Sequence, residues 1–140
     1  MKNRLFLLLC MALLVLISCQ TQQKQTPLPE AGLYKISILY PGGAGKTFDM
    51  DYYRQQHMPM VAGFLGKNLQ LYEIDKGVSG RTPKDSVPFV AVGYFYCKNM
   101  EEYHKAIALH IDTIMADIRK YTNIQPVIQV SQIEVMRKGE

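Results

Sequence analysis

FVAVGYFY, residues 89–96, is a run of β-branched and aromatic residues with no polar side to it. Extended backbone sends alternate side chains to opposite faces. Phe89, Ala91, Gly93 and Phe95 therefore share one side, and Val90, Val92, Tyr94 and Tyr96 the other. Such a strand calls for cover on both faces. The chain has 140 residues, and once a leader and a polar tail are set aside roughly 100 remain to build a core. Two helices, all that such a length supplies besides strands, cover one face of a sheet. The other face needs a partner, and a second copy of the same sheet fits it, so a homodimer is expected. The same length excludes a two-domain enzyme, a full dinucleotide-binding fold, and a β/α barrel, which needs ~250 residues.

Working outward, the flanking segments complete a pattern of strand, helix, strand, strand, helix, strand. LYKISILY (residues 33–40) alternates, with Tyr34, Ile36, Ile38 and Tyr40 on one side, and Pro41-Gly42-Gly43 stops it. Thr47 or Asp49 can cap the helix that follows, where Asp49 and Asp51 suit the N-terminal dipole. Its apolar side is expected to carry Tyr53, Gln56, His57, Met60 and Phe64. Pro59 must disturb it, because proline lacks an amide donor and crowds the carbonyl four residues back. Leu69–Asp75 and Phe89–Tyr96 are the middle strands, joined by a loop rich in Gly, Pro and Ser. Asn99 with Glu102 opens the second helix as a capping-box-like pair, and Tyr103, Ile107, Ile111, Ile114 and Ile118 recur at helical spacing. Val127–Val135 closes the pattern. The reading is α+β: a ferredoxin-like βαββαβ unit, an antiparallel sheet with two helices on one face.

The N-terminus is an address. Lys2 and Arg4 precede an uncharged apolar run, Leu5–Ile17, which is short of the ~20 residues that span a bilayer. Leu16-Ile17-Ser18-Cys19 resembles the box at which bacterial lipoprotein signals are cleaved. Residues 1–18 are then a signal peptide, Cys19 becomes the lipidated N-terminus, and 19–32, with Pro27 and Pro29, is a solvated tether. The folded domain is expected over 33–136, with a short tail at 137–140. Gln20 rather than Asp after the cysteine favours the outer membrane of a bacterial envelope. With Cys10 removed and Cys19 lipidated, Cys97 has no partner, so no disulfide framework is available. Removing Lys2 and Arg4 from sixteen basic residues leaves fourteen against twelve acidic ones, a net charge of +2 with no basic cluster. Nucleic acid is not an expected partner.

Few residues offer chemistry. His57 lies on the apolar side of the first helix where Pro59 interrupts the hydrogen-bond ladder, a place where a freed carbonyl can fix its ring for acid/base work. The structural alternative is a half-buried histidine that caps the disturbed turn. Tyr103, His110 and Asp117, spaced by sevens, form a polar line at the flank of the second helix, with Asp117 placed to orient a histidine; a helix edge meeting solvent is the plainer reading. His104 falls elsewhere on that helix and is expected to be exposed. The three histidines lack metal-ligand spacing, so no metal is expected. Gly42-Gly43-Ala44-Gly45-Lys46 lacks the spacing of a phosphate loop. Nine tyrosines and no tryptophan suit either a pocket for an oxygenated or aromatic apolar ligand or a core and interface with wet hydroxyls.

Taken together, YKISILYP (34–41), FDMDYYRQQHMPMV (48–61), YEIDKG (72–77), PFVAVGY (88–94) and YTNIQPVIQV (121–130) resemble the EthD family in the same order along the chain. The resemblance implies a dimeric α+β barrel, two ferredoxin-like sheets face to face, with a ligand pocket in each subunit. It places the family's His-x-Pro step on His57 and Pro59, its second-helix histidine on His110 and its aspartate on Asp117. Arg119-Lys120 departs from the proline-containing pair of such proteins, and a lipoprotein leader is unusual among them. The expected site is His57, His110 and Asp117 for catalysis, with Tyr53, Tyr72, Tyr94 and Gln129 against the substrate.

Three functions compete on this reading. One is a cofactor-free enzyme with acid/base chemistry of isomerase, decarboxylase, cyclase or monooxygenase type. The second is a lipid-anchored binding protein for an apolar ligand such as haem. The third is an accessory subunit without catalysis. Fold analogy alone does not choose among them.

Overall fold

The computed structural model describes residues 30–137. The signal segment, Cys19 and nearly all of the tether lie outside the described residues, as do the last three positions of the tail. Four strands form one antiparallel sheet, β1 (Tyr34–Pro41), β2 (Leu69–Lys76), β3 (Phe89–Cys97) and β4 (Val127–Gln132), in the spatial order β2-β3-β1-β4. This is the ferredoxin-like order expected from the alternation of elements. Strand limits shift by a residue, except that β4 ends at Gln132 rather than Val135.

The first helix, α1, is built in three pieces: Met50–Tyr52, a π-helical turn Tyr53–His57, and Met58–Leu65. Asp49, not Thr47, caps it, accepting from the Tyr52 N–H at 3.0 Å. The Met58 N–H reaches back to the Tyr53 carbonyl, the wide bonding of a π turn. Pro59, immediately beyond, lacks the N–H that regular α-bonding to the Gln55 carbonyl would use, so the chain widens by one residue instead of kinking. The widening corrects the expected face. Tyr53, His57, Met58, Val61 and Leu65 are buried, whereas Gln56 is exposed and Met60 and Phe64 are half-buried. Gly66, at φ +51°, ends the helix in a conformation that a side chain resists.

The second helix, α2 (Met100–Ile118), starts as anticipated, with Asn99 Oδ1 accepting from the Glu102 N–H at 3.0 Å. His104 is exposed. Ile36, Tyr40, Ala91, Phe95 and Cys97 from the sheet pack with Tyr53, Met58, Val61 and Leu65 of α1 and Ile114 of α2 in one core. Register explains which face this is: Ile36 pairs with Phe95, Ile38 with Gly93 and Tyr40 with Ala91.

The opposite face carries no helix. On it Lys35 pairs with Tyr96, Ser37 with Tyr94 and Leu39 with Val92. Lys35 Nζ stands 5.3 Å over the Tyr94 ring, and the Tyr96 hydroxyl donates to Glu73 Oε2 at 3.0 Å. Tyr96 is buried by its neighbours, while Val92 and Tyr94 are half-buried; Val90, at a bulge in the β1–β3 register, packs against the core instead.

Candidate active site

An open cavity of about 460 Å³ lies between α1, α2 and the sheet, within the range of small-molecule sites. Its floor is Ile38 and Phe95 from the sheet. Its walls are Tyr53, His57, Met58 and Val61 from α1, and Tyr103, Ile107, Ile111, Ile114, Met115 and Ile118 from α2. Ile111, Met115 and Ile128 are exposed, which marks the rim. The helical stripe of isoleucines read from the sequence is thus only partly core. Its outer members line a space.

His57 stands in this wall and is 5% exposed. Its Nδ1 lies 2.8 Å from Asp117 Oδ2, a pair that joins the π turn of α1 to the last turn of α2. The other carboxylate oxygen accepts from the Tyr52 hydroxyl at 2.8 Å and from Lys120 Nζ at 3.0 Å. Burial acts to raise the Asp117 pKa, but the hydrogen bonds from His57, Tyr52 and Lys120 outweigh it and hold the carboxyl below its ordinary value. Burial also dominates at His57 and lowers its pKa below the ordinary 6.5, against the pull of Asp117. The pair at neutral pH is therefore an imidazole and a carboxylate, not an ion pair. An ionised carboxylate only accepts, so Nδ1 carries the proton and donates it. Nε2 is left as an acceptor and has no partner among the described residues.

Around the imidazole is an aromatic box. The Tyr121 ring lies 4.7 Å from it and Tyr53 stacks 5.7 Å away. Tyr40 and Phe48 close the far side. The Tyr40 and Tyr121 hydroxyls share a hydrogen bond of 2.7 Å. Burial raises all three phenols, Tyr40, Tyr53 and Tyr121, above the ordinary phenol range, so they stay protonated. The Tyr53 hydroxyl is fully buried with no hydrogen-bond partner. It rests on the backbone of Gly93, where any Cβ would collide with it. That is why β3 has a glycine in the middle of an otherwise bulky run.

The structure sorts the expected site residues. It brings together His57, Asp117 and Tyr53, with Asp117 behind the imidazole rather than in the cavity wall. His110 is elsewhere: its ring stacks on Phe64 at 3.9 Å in the contact between the helices and does not line the cavity. The histidine that Asp117 orients is His57, on the other helix. The seven-residue spacing drifts along α2, so His110 and Asp117 end on different neighbours. Tyr72 lies over Phe95 towards the sheet edge, 39% exposed. Tyr94 belongs to the helix-free face with Lys35. Gln129, which pairs with Ser37 on that same face, bonds Ser131 Oγ at 3.0 Å. Tyr72, Tyr94 and Gln129 do not line this cavity, since strand alternation or lateral position carries each away. Sequence reasoning missed Tyr40, Tyr52 and Tyr121. Their meeting spans separations of 65 and 81 residues, with no local signal.

Sheet order, two helices on one face and a cavity between them define a ferredoxin-like α+β protein with a ligand-sized pocket. The EthD domain matches residues 43–125, and the chain belongs to the EthD family. It is similar to the crystal structure of an EthD-like protein from Ralstonia eutropha JMP134, with 37% identity and a TM-score of 0.73, covering 76% of this chain and 96% of that one. An ethyl tert-butyl ether D (EthD) family protein from Bacillus halodurans C-125 shares the fold at 15% identity and a TM-score of 0.54, over 71% of this chain and 97% of that one. No protein of curated function matches the chain.

Proposed function

We propose that this EthD-family protein is a small-molecule enzyme that works without a cofactor and uses neutral His57 as its acid/base group. The single observation that carries this is the buried His57–Asp117 pair, with its free Nε2 on the wall of an apolar cavity. Asp117 fixes the tautomer and ring plane, and Nε2 takes a proton from an oxygenated apolar substrate and returns it. The Tyr53 ring stacks beside the imidazole and lines the apolar wall against which the substrate body would lie. His110 supports the helix contact.

We also propose that the protein works as a homodimer held at a bacterial envelope, on the outer membrane, through lipid on Cys19. The helix-free sheet face, with Val92 and Tyr94 half-buried, supports the dimer. The Ser18-Cys19 box and the tether to residue 32 support the anchor.

Native mass spectrometry of the protein from its host membrane tests lipidation, dimer mass and retained ligand in one measurement. A dimer carrying a small oxygenated molecule is expected; the ligand then serves as the substrate for kinetics. His57→Ala abolishes turnover and leaves the dimer intact. Unchanged turnover removes His57 from the mechanism, and a haem retained through His57 would replace the enzyme reading with a carrier.

A further inference from the structure

We infer that Arg119 is a specificity-determining residue and that the substrate carries a carboxylate, with its apolar body in the cavity and its acid group at the rim. The inference rests on the reading of the cavity as the substrate site. Arg119 follows the last residue of α2 and borders the cavity. It also borders a shallower, more polar hollow of about 400 Å³ next to it, and the two share Arg119, Thr122 and Asn123. An amphiphilic molecule can therefore lie across the boundary, apolar end inward.

Charge decides which polar group it carries. Among the described residues, Arg119 is the only formally charged one on the cavity wall, because His57 is neutral there and Asp117 lies behind it. The other charged residues of the hollow are occupied: Lys120 bonds Asp117, and Asp49 accepts from the Tyr52 N–H. Arg119 makes no ion pair and no side-chain hydrogen bond among the described residues. Its guanidinium bonds none of the last carbonyls of α2, so closing the helix does not account for it. A planar fork of donors beside an apolar slot fits a carboxylate in two-point contact, and because Arg119 is exposed at the rim that attraction is screened by salt.

Isothermal titration of the full chain at low ionic strength tests this with two matched probes, 4-phenylbutanoate and 4-phenylbutan-1-ol. They share the apolar body and differ at the terminal group. The acid is expected to bind about tenfold more tightly than the alcohol, the scale of one charge-assisted contact, with the gap shrinking in high salt. In Arg119→Gln the acid falls to the affinity of the alcohol, while the alcohol is unchanged; Arg119→Lys retains part of the preference. Equal affinities in the parent protein overturn the role of Arg119 and leave the cavity reading intact, as does a preference that survives in Arg119→Gln. Binding of neither probe overturns both. An unchanged urea midpoint in Arg119→Gln shows that lost affinity is not lost fold.

Discussion

Asp117→Asn is the substitution from which most can be worked out. The carboxylate accepts three donors, His57 on Oδ2 and Tyr52 and Lys120 on Oδ1. Asparagine keeps one oxygen, and the side shared by Tyr52 and Lys120 retains it, so the amide group turns towards His57. An amide donates. Nδ1 must then accept, and the imidazole proton moves to Nε2. Each contact from His57 and Tyr52 falls from a charge-assisted bond of ~1.5–3 kcal/mol to a neutral one of ~0.5–1.5 kcal/mol. The Lys120 side chain is 60% exposed, so its contact is screened by solvent and is left out of the sum. The expected loss is ~2–3 kcal/mol, which at a urea slope of ~1–3 kcal/mol/M lowers the unfolding midpoint by about 1–3 M. The fold persists, but the imidazole tautomer is inverted, so on the proposed acid/base reading turnover drops by ~10²–10⁴. Urea titration, with ¹⁵N imidazole NMR for the tautomer, reads both effects. An unchanged midpoint, or a variant that keeps its proton on Nδ1, would refute the reasoning.

Three further outcomes follow from the same geometry. Gly93→Ala drives a methyl group into the Tyr53 hydroxyl and costs ~1–3 kcal/mol as overpacking, and Tyr53→Phe in the same background restores part of the loss in thermal unfolding. Acid destabilises the fold in two stages. The folded pKa of His57 lies below its unfolded value of 6.5, so its contribution is complete above that pH and is lost as pH falls through the folded value. Asp117, also depressed, adds stability above its unfolded value of 3.8 that disappears below it. A stability series from pH 8 to pH 3 should fall monotonically, and a rise between pH 6.5 and pH 5 would contradict the assignment. Cys97 is fully buried and its thiol is pushed up to about 11 by burial, so alkylating reagents should leave it untouched at neutral pH until the chain unfolds.

Much of the fold was legible because local patterns and tertiary needs agree. The Asn99 cap, the isoleucine stripe of α2 and the alternation of Tyr34, Ile36, Ile38 and Tyr40 each signal within a few residues. The face of α1 was less legible: Pro59 announced a disturbance, but whether the chain kinks or widens is settled by packing, and the π turn exchanged Gln56 for Met58 on the buried side. For the site, the sequence offered His57 and Asp117 on separate grounds, and the structure brings them together. The seven-residue spacing lined Asp117 up with His110 without naming the histidine it would orient, and close packing of the helix ends places it against His57, 60 residues away in sequence. Tyr72, Tyr94 and Gln129 show the limit of composition as a guide. A tyrosine on a strand belongs to the cavity only when both its face and its lateral position allow it.

The protonation of His57 is the most direct test of a neutral base held by a carboxylate. Titrating the ¹⁵N-labelled imidazole in the parent protein by NMR should show the Nδ1–H tautomer with a midpoint below 6.5. A midpoint above 6.5, or a proton on Nε2, would contradict it.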